Sequence, residues 1–419
     1  MREMAMLHQD KRYTMARRIA VIGGGVIGTS VAWHLACREV GDIVLIERDR
    51  LGSGTTWHSA GNVTWIPGND SILTLYDTME QVAREADQDI GWLWTGRLFL
   101  ARTDATLESF RAMASAADAR RIDNTMLEPA DAVAHHPLLD PSGLAGAWLN
   151  SKSGRVNPAD LTSTYARAAR RRGVTLHEGC NVTGLEVRGS KITRLVTTDG
   201  PLDVDAVVVC CGLWSRRLLS GLGLLLPQWG CEHFYMIARP EQRLERTTPS
   251  FVSPDDLIYG REEVGDMLLG SFDEGALPLQ GAHGAPPDDF SFSLLNENWD
   301  KFGPYAQRGF NLFPALEQAP VRRFVNGPET FTSDGEPLLG AYGSIDGLFI
   351  ASGMNSAGVT FSALAGHVLA DAVTETPSPR FDPAPYRPDR FADRACNEEW
   401  IRESVSQVVS GHYKERFEA

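Results

Sequence analysis

The stretch RRIAVIGGGVIGTSVAWHLACREVGDIVLIERD, residues 17–49, decides the fold. Ile19 to Ile22 form a short apolar run that stops at glycine, the pattern of a strand buried on both faces of a parallel sheet. Val26 to Cys37 read as a helix and Ile43 to Glu47 as a second strand. The turn joining the first strand to the helix carries Gly23-x-Gly25-x-x-Gly28, with Val26 and Ile27 inside it. Gly23 permits the tight turn, Gly25 lets the backbone approach a pyrophosphate, and Gly28 lets helix and strand pack closely. The phosphates then sit at the positive end of the helix. Glu47, followed by Arg48, ends the second strand about 20 residues after Gly28, where a carboxylate accepts hydrogen bonds from ribose hydroxyls. A dinucleotide site is expected; a purely structural glycine turn is the alternative.

Outward from this unit, Gly96 to Ala101 (GRLFLA) read as a strand and Asp104 to Arg121 as a surface helix. Asn157 can cap a helix that begins at Pro158 and ends at Gly173 after a basic last turn. VDAVVVCCG reads as another buried parallel strand returning to the first sheet. From Pro227 to about Pro328 aromatics, prolines and glycines interleave with short strand candidates such as HFYMIA and DMLLGSF, with no strand–helix alternation. The first style returns at GLFIASGMNSAGVTFSALAGHVLADAV, a strand, a glycine-rich turn and a helix. The expected fold is α/β: a Rossmann-like domain with a parallel central sheet, interrupted by a largely antiparallel α+β substrate domain. Residues 18–95, 151–226 and 329–376 make the first, and 96–150 and 227–328 the second. Residues 1–17 read as a disordered lead-in, with Met15 an alternative start, and 377–419 as a proline-rich tail ending in an amphipathic segment.

The 419 residues carry 43% hydrophobic and 22% charged side chains, the balance of a globular protein. A net charge of −14 argues against a nucleic-acid partner, which would call for a basic face. No apolar stretch of about 20 residues suggests a membrane span, and the N-terminus has no apolar core for a secretory signal. Cys37, Cys180, Cys210, Cys211, Cys231 and Cys396 form no CxxC or zinc-ligand spacing, so no metal is expected and a reducing, cytoplasmic setting fits.

Five segments together resemble the FAD-dependent amine oxidoreductases of the D-amino-acid oxidase superfamily, above all the flavin domain of dimethylglycine and sarcosine dehydrogenases. They are GGGVIG with Glu47, GTTWHSAG, GRVNPADL, NGPETFTSDGEPLLG, and SGMNSAG opening the last helix. The likeness runs from Arg18 to about Tyr413. It implies bound FAD, and TWHSAG is similar to the segment in which these enzymes bond FAD covalently to histidine. The animal enzymes continue into folate-binding domains where this chain stops. Transfer of a one-carbon unit within this polypeptide is therefore not implied, and a separate folate-binding subunit is conceivable.

His58 lies eleven positions after Glu47 in a loop of small residues, and the resemblance makes it the tether to a methyl carbon of the flavin ring. A histidine merely packed in the loop is the alternative. Thr55, Thr56, Trp57, Ala60 and Gly61 would wall the flavin beside it. Val182 matches a position whose main chain meets adenine, and Gly212 and Trp214 match another FAD-contact turn. Gly353, Met354, Asn355, Ser356, Ala357 and Gly358 open a helix whose free N–H groups could face the flavin's pyrimidine carbonyl; a plain capped helix is the bland reading. For chemistry, His233 could deprotonate or orient a substrate ammonium. Tyr259 and Arg261, two apart on a strand, could bind its carboxylate, unless Arg261 simply pairs with Glu262, Glu263 or Asp266. The implied reaction is oxidation of a small N-methyl amino acid such as dimethylglycine or sarcosine. Oxidative deamination is a rival reading, and a non-catalytic flavoprotein subunit another. Oxygen or an electron-transfer protein would reoxidise the flavin.

Overall fold

The computed structural model describes residues 17–68, 71–376 and 382–418. The expected lead-in, apart from Arg17, and the first residues of the proline-rich tail lie outside the described residues.

The quoted stretch becomes the middle of a six-stranded sheet. Its order is Leu338–Ala341, Leu348–Ser352, Ala206–Val209, Arg18–Ile22, Asp42–Glu47, Thr175–Glu178. Neighbours run parallel except at the Leu338–Ala341 edge. Alternation by two sends Ile19, Val21, Ile43 and Leu45 to one face and Ala20, Ile22, Val44 and Ile46 to the other, and each face has its own apolar cluster. That is why these strands read as unbroken apolar runs. The first face is covered by the helices Val26–Cys37, Pro158–Arg171 and Gly358–Val373, which pack on one another. The other is covered by an antiparallel three-stranded sheet, Val182–Arg188, Lys191–Thr197 and Gly200–Asp203. Asn157 caps its helix as expected, accepting from the backbone N–H of Ala159 at 3.0 Å and of Asp160 at 3.2 Å.

A second sheet has eight strands in the order Val321–Asn326, Phe234–Ala238, Asp266–Ser271, Ile258–Glu263, Ser250–Ser253, Arg97–Ala101, Gly146–Asn150, Asn124–Leu127. Its neighbours are antiparallel except Ser250–Ser253 beside Arg97–Ala101, so the texture read from the sequence holds. The sequence reading has no helix between 227 and 328, yet Trp299–Leu312 is one. Gly303, Pro304 and Gly309 hide its period, although Phe302, Tyr305, Ala306 and Leu312 are buried at helical spacing. The amphipathic tail is the helix Glu398–Glu418, which lays Ile401, Val405 and Val409 on Trp229, Cys231 and Phe331. Among the described residues no helix is long and apolar enough to cross a membrane.

Candidate active site

The glycine turn works by exclusion of side chains. Gly23 has φ +107, and a Cβ there would collide with the Cys210 carbonyl. A Cβ on Gly28 would collide with the Gly23 carbonyl, so helix and turn touch where the sequence requires them to. Gly28→Ala should therefore cost about 2–3 kcal/mol of stability, read as a lowered denaturant midpoint, with weaker cofactor retention. An unchanged midpoint would remove this account of the turn. Glu47 is buried beside the turn, its carboxylate accepting from the N–H of Gly24 at 2.6 Å and of Asp49 at 2.9 Å. Burial raises its pKa and these two bonds oppose the rise.

Around this turn opens a cavity of about 470 Å³. Of the expected cofactor residues it is lined by Gly23, Gly25, Val26, Ile27, Glu47 and Arg48, and by Thr55 and Thr56 from the histidine loop. Val182, Gly212 and Trp214 continue the wall, and Gly353, Met354, Ser356 and Gly358 close it. The Arg48 guanidinium lies 4.4 Å from the centre of the Trp214 ring, which fixes both at the rim. The helix itself starts at Gly358; Asn355 and Ser356 before it are left-handed, with φ 48 and 65. Asn355 is buried with its amide turned to the protein, Oδ1 accepting from the Thr332 N–H at 2.9 Å and Nδ2 donating to the Gly353 carbonyl. It pins the turn and does not line the cavity.

A smaller cavity of about 130 Å³ shares Ser59, Glu329, Ser356 and Val359 with the larger one. Ala60, Gly61, Ala357, His233 and Tyr259 line it, so Tyr259 is brought together with His233, and Arg261, expected beside Tyr259, is not in this lining. His233 Nε2 and the Tyr259 hydroxyl are 3.2 Å apart, their rings nearly parallel. Tyr259 fits because residue 270 is glycine; a Cβ there would enter its ring. His233 Nδ1 is buried with no hydrogen-bond partner.

Gly28, Trp57, His58, Asn355 and Arg261 line neither cavity. Trp57 is half-buried and packs against Phe292, with the Arg323 guanidinium 5.2 Å from its ring. His58 is buried, its ring against Gly327, where any Cβ would collide with Nδ1. Burial lowers its pKa to about 4, so the imidazole is neutral at ordinary pH. Its chain neighbours Thr56 and Ser59 face the larger cavity, and Ser59 and Ala60 the smaller, so the loop bridges the two. Arg261 holds that loop from behind: Nε donates to the Ala60 carbonyl at 2.6 Å and Nη1 pairs with the Glu263 carboxylate. Of the carboxylates offered as alternative partners it meets that of Glu263, and it does so buried rather than at the surface, where it braces the loop.

The family profile described as FAD dependent oxidoreductase matches residues 18–372. The chain belongs to this family. It is 30% identical over 408 residues to the mitochondrial sarcosine dehydrogenase of Mus musculus, covering 94% of this chain and 44% of that protein. It is equally 30% identical over 403 residues to the 4-methylaminobutanoate oxidase (formaldehyde-forming) of Paenarthrobacter nicotinovorans, covering 94% and 48%. The chain thus spans less than half the length of these relatives. The crystal structure of glycine oxidase from Geobacillus kaustophilus superposes with a TM-score of 0.74 at 25% identity, covering 89% of this chain and 99% of that one.

The residues present fit FAD. The larger cavity runs from the helix start at Gly25–Ile27, past the Glu47 carboxylate and Val182, to the turn at Gly353–Gly358, an elongated space for a dinucleotide. Sequence reasoning missed Arg97 and Glu329. Arg97 lies in RLFLA, a strand buried at every position, and a guanidinium inside such a run is the signal that could have found it. Glu329 sits within NGPETFTSDGEPLLG and accepts from the Ser356 hydroxyl.

Proposed function

We propose that this protein is an FAD-dependent amine oxidoreductase that demethylates a small N-methyl amino acid, with the flavin bonded covalently to His58. The observation that carries the reading is the smaller cavity, which shares Ser59, Glu329, Ser356 and Val359 with the larger one and is lined by His233, Tyr259, Glu329 and Arg97. At about 130 Å³ it has room for a compact substrate only. Its polar groups suit a nitrogen at one end and a carboxylate at the other. Bound in the larger cavity by Gly23, Gly25, Glu47 and the Gly353–Gly358 turn, FAD would supply a two-electron acceptor for a hydride from a carbon beside nitrogen. The Tyr259–His233 pair takes a proton from the substrate ammonium and leaves the nitrogen lone pair free. The walls Val252, Phe272 and Ile66 keep the site apolar around these groups. The resulting iminium hydrolyses in water to formaldehyde and the demethylated amine. Val182, Gly212 and Trp214 would hold the adenosine half of the cofactor.

The match of fold to a glycine oxidase favours oxidative deamination as the second reading. Anaerobic titration of the holoprotein with sarcosine, dimethylglycine, glycine and proline separates the two. Bleaching by the N-methyl compounds with release of formaldehyde supports demethylation, and bleaching by glycine or proline alone replaces it. A flavin reduced by none of them, nor by other small N-alkyl amino acids, points to a non-catalytic subunit. In either catalytic reading oxygen or an electron-transfer protein would reoxidise the flavin, and native mass spectrometry would find a folate-binding partner if one associates.

A further inference from the structure

We propose that Arg97 decides which carbon of the substrate is oxidised. The inference rests on the reading of the smaller cavity as the site of an N-methyl amino acid. Such a molecule offers two kinds of C–H bond beside nitrogen, one on the methyl group and one on the α-carbon. Loss of hydride from the methyl, followed by water addition, gives formaldehyde and the demethylated amino acid. Loss of hydride from the α-carbon, followed by water addition, gives a 2-oxo acid and the free amine, methylamine from sarcosine or dimethylamine from dimethylglycine. In both cases two electrons pass to the flavin and one water is consumed, so the chemistry alone does not choose.

The placement of charge does choose. Among the described residues that line the smaller cavity, Arg97 is the single lysine or arginine. It is buried, 5% exposed, on the strand Arg97–Ala101. Its Nη1 donates to the Thr64 hydroxyl, itself in the lining, and its Nη2 to the Phe251 carbonyl at 3.3 Å. These bonds fix the guanidinium at one wall, where its charge and remaining N–H groups can meet a carboxylate. Arg97 does not line the larger cavity, whereas Ser59, Glu329, Ser356 and Val359 line both. The boundary between cavities is therefore on the Glu329 side. A substrate whose carboxylate is held by Arg97 keeps its α-carbon drawn towards that wall, and its nitrogen and methyl group extend towards Glu329 and the cofactor cavity. The methyl hydrogen is then the one presented for transfer. Arg261, braced against Ala60 and Glu263, offers no such anchor within the cavity.

The test uses the holoprotein and its Arg97→Gln and Arg97→Lys variants with sarcosine or dimethylglycine, whichever bleaches the flavin faster. In the wild type, deuterium on the N-methyl group should slow bleaching about threefold or more and deuterium on the α-carbon by less than about 1.3-fold, since positioning selects the reacting bond. In Arg97→Gln the half-saturating concentration should rise about tenfold or more, and the 2-oxo acid should appear beside formaldehyde. Arg97→Lys keeps a point charge without the fork, so it should keep formaldehyde as the product with weaker binding. An equal half-saturation and product ratio in wild type and Arg97→Gln would overturn the proposal while leaving the demethylase reading intact. If no N-methyl amino acid bleaches the flavin, that reading fails, and titration with acetate followed by the flavin absorption still decides Arg97. Binding weakened about tenfold in both variants relative to wild type supports the anchor. No binding to wild type, or equal binding in all three, sinks it.

Discussion

Protein precipitated with acid should stay yellow, and the His58→Ala variant should yield a colourless pellet and a yellow supernatant. The expectation comes from three features of this chain. The imidazole is neutral at ordinary pH because burial holds its pKa near 4, so a ring nitrogen keeps the lone pair that bond formation needs. Its loop is fixed at both sides: the Tyr235 hydroxyl donates to the His58 carbonyl at 3.1 Å, and Arg261 donates to the Ala60 carbonyl at 2.6 Å. Ser59 beside His58 lines both cavities and Thr56 lines the larger, so the histidine sits in a loop that runs between the two. In the variant, FAD would be held by the glycine turn, Glu47 and the Gly353–Gly358 turn alone, and dialysis or dilution should lower the flavin-to-protein ratio about tenfold. The fold should survive, because the substitution removes a ring beside glycine and leaves the backbone bonds of residues 58 and 60 in place. A colourless pellet from flavin-loaded wild type would dispose of the covalent link and leave His58 as a packed residue.

What the sequence made legible, and what it hid, follows from the range of the forces involved. The parallel sheet was readable because each of its inner strands is buried on both faces and so is apolar without interruption, and because Gly23 and Gly28 sit where backbone meets backbone. The lining of the larger cavity was readable for the same reason: it is made largely of turns next to those strands. The Asn355 amide was harder. A residue that opens a helix looks like a donor to a ligand, but its side chain is spent on Thr332, more than twenty positions earlier in the chain. Arg261 hides a similar pairing, since its partner Ala60 is a backbone carbonyl that no side-chain pattern announces. Arg97 and Glu329 were missed for the opposite reason. They reach one cavity from strands of different sheets, and only the packing of those sheets brings them near each other. The helix Trp299–Leu312 was lost because glycine and proline within it outweighed its buried face in a local reading.

Mild acid should destabilise the protein well before its carboxylates are neutralised, and a single substitution should remove a defined part of the effect. His136 is fully buried between Phe251 and Phe313, with neither ring nitrogen hydrogen-bonded. Burial lowers its pKa to about 4. His34 is buried where the helices Val26–Cys37 and Gly358–Val373 meet, beside His367, and burial lowers its pKa to about 3. Both rings are neutral in the folded protein, whereas in the unfolded chain they protonate below about 6.5. The unfolded state thus binds more protons, so the stability they allow is complete above about pH 6.5 and falls as pH drops towards 4 for His136 and 3 for His34. Each contributes a slope of about 1.4 kcal/mol per pH unit across its window, or about 4 kcal/mol for the pair at pH 5. Glu85, held near 2 by Arg172, loses stability only below its unfolded value of about 4.5 and lies outside this range. Burial raises the carboxyls of Glu47, Asp256 and Asp273, which take up protons first in the folded state and offset part of the loss. Comparing variants cancels that offset. His136→Leu fills an apolar site with an apolar side chain, so its stability relative to wild type should be about 2 kcal/mol more favourable at pH 5 than at pH 7.5, measured by urea unfolding with tryptophan fluorescence. Parallel pH profiles for the two proteins would mean that His136 gains protons in the folded state, by admitting water or by moving out from between the two phenylalanines.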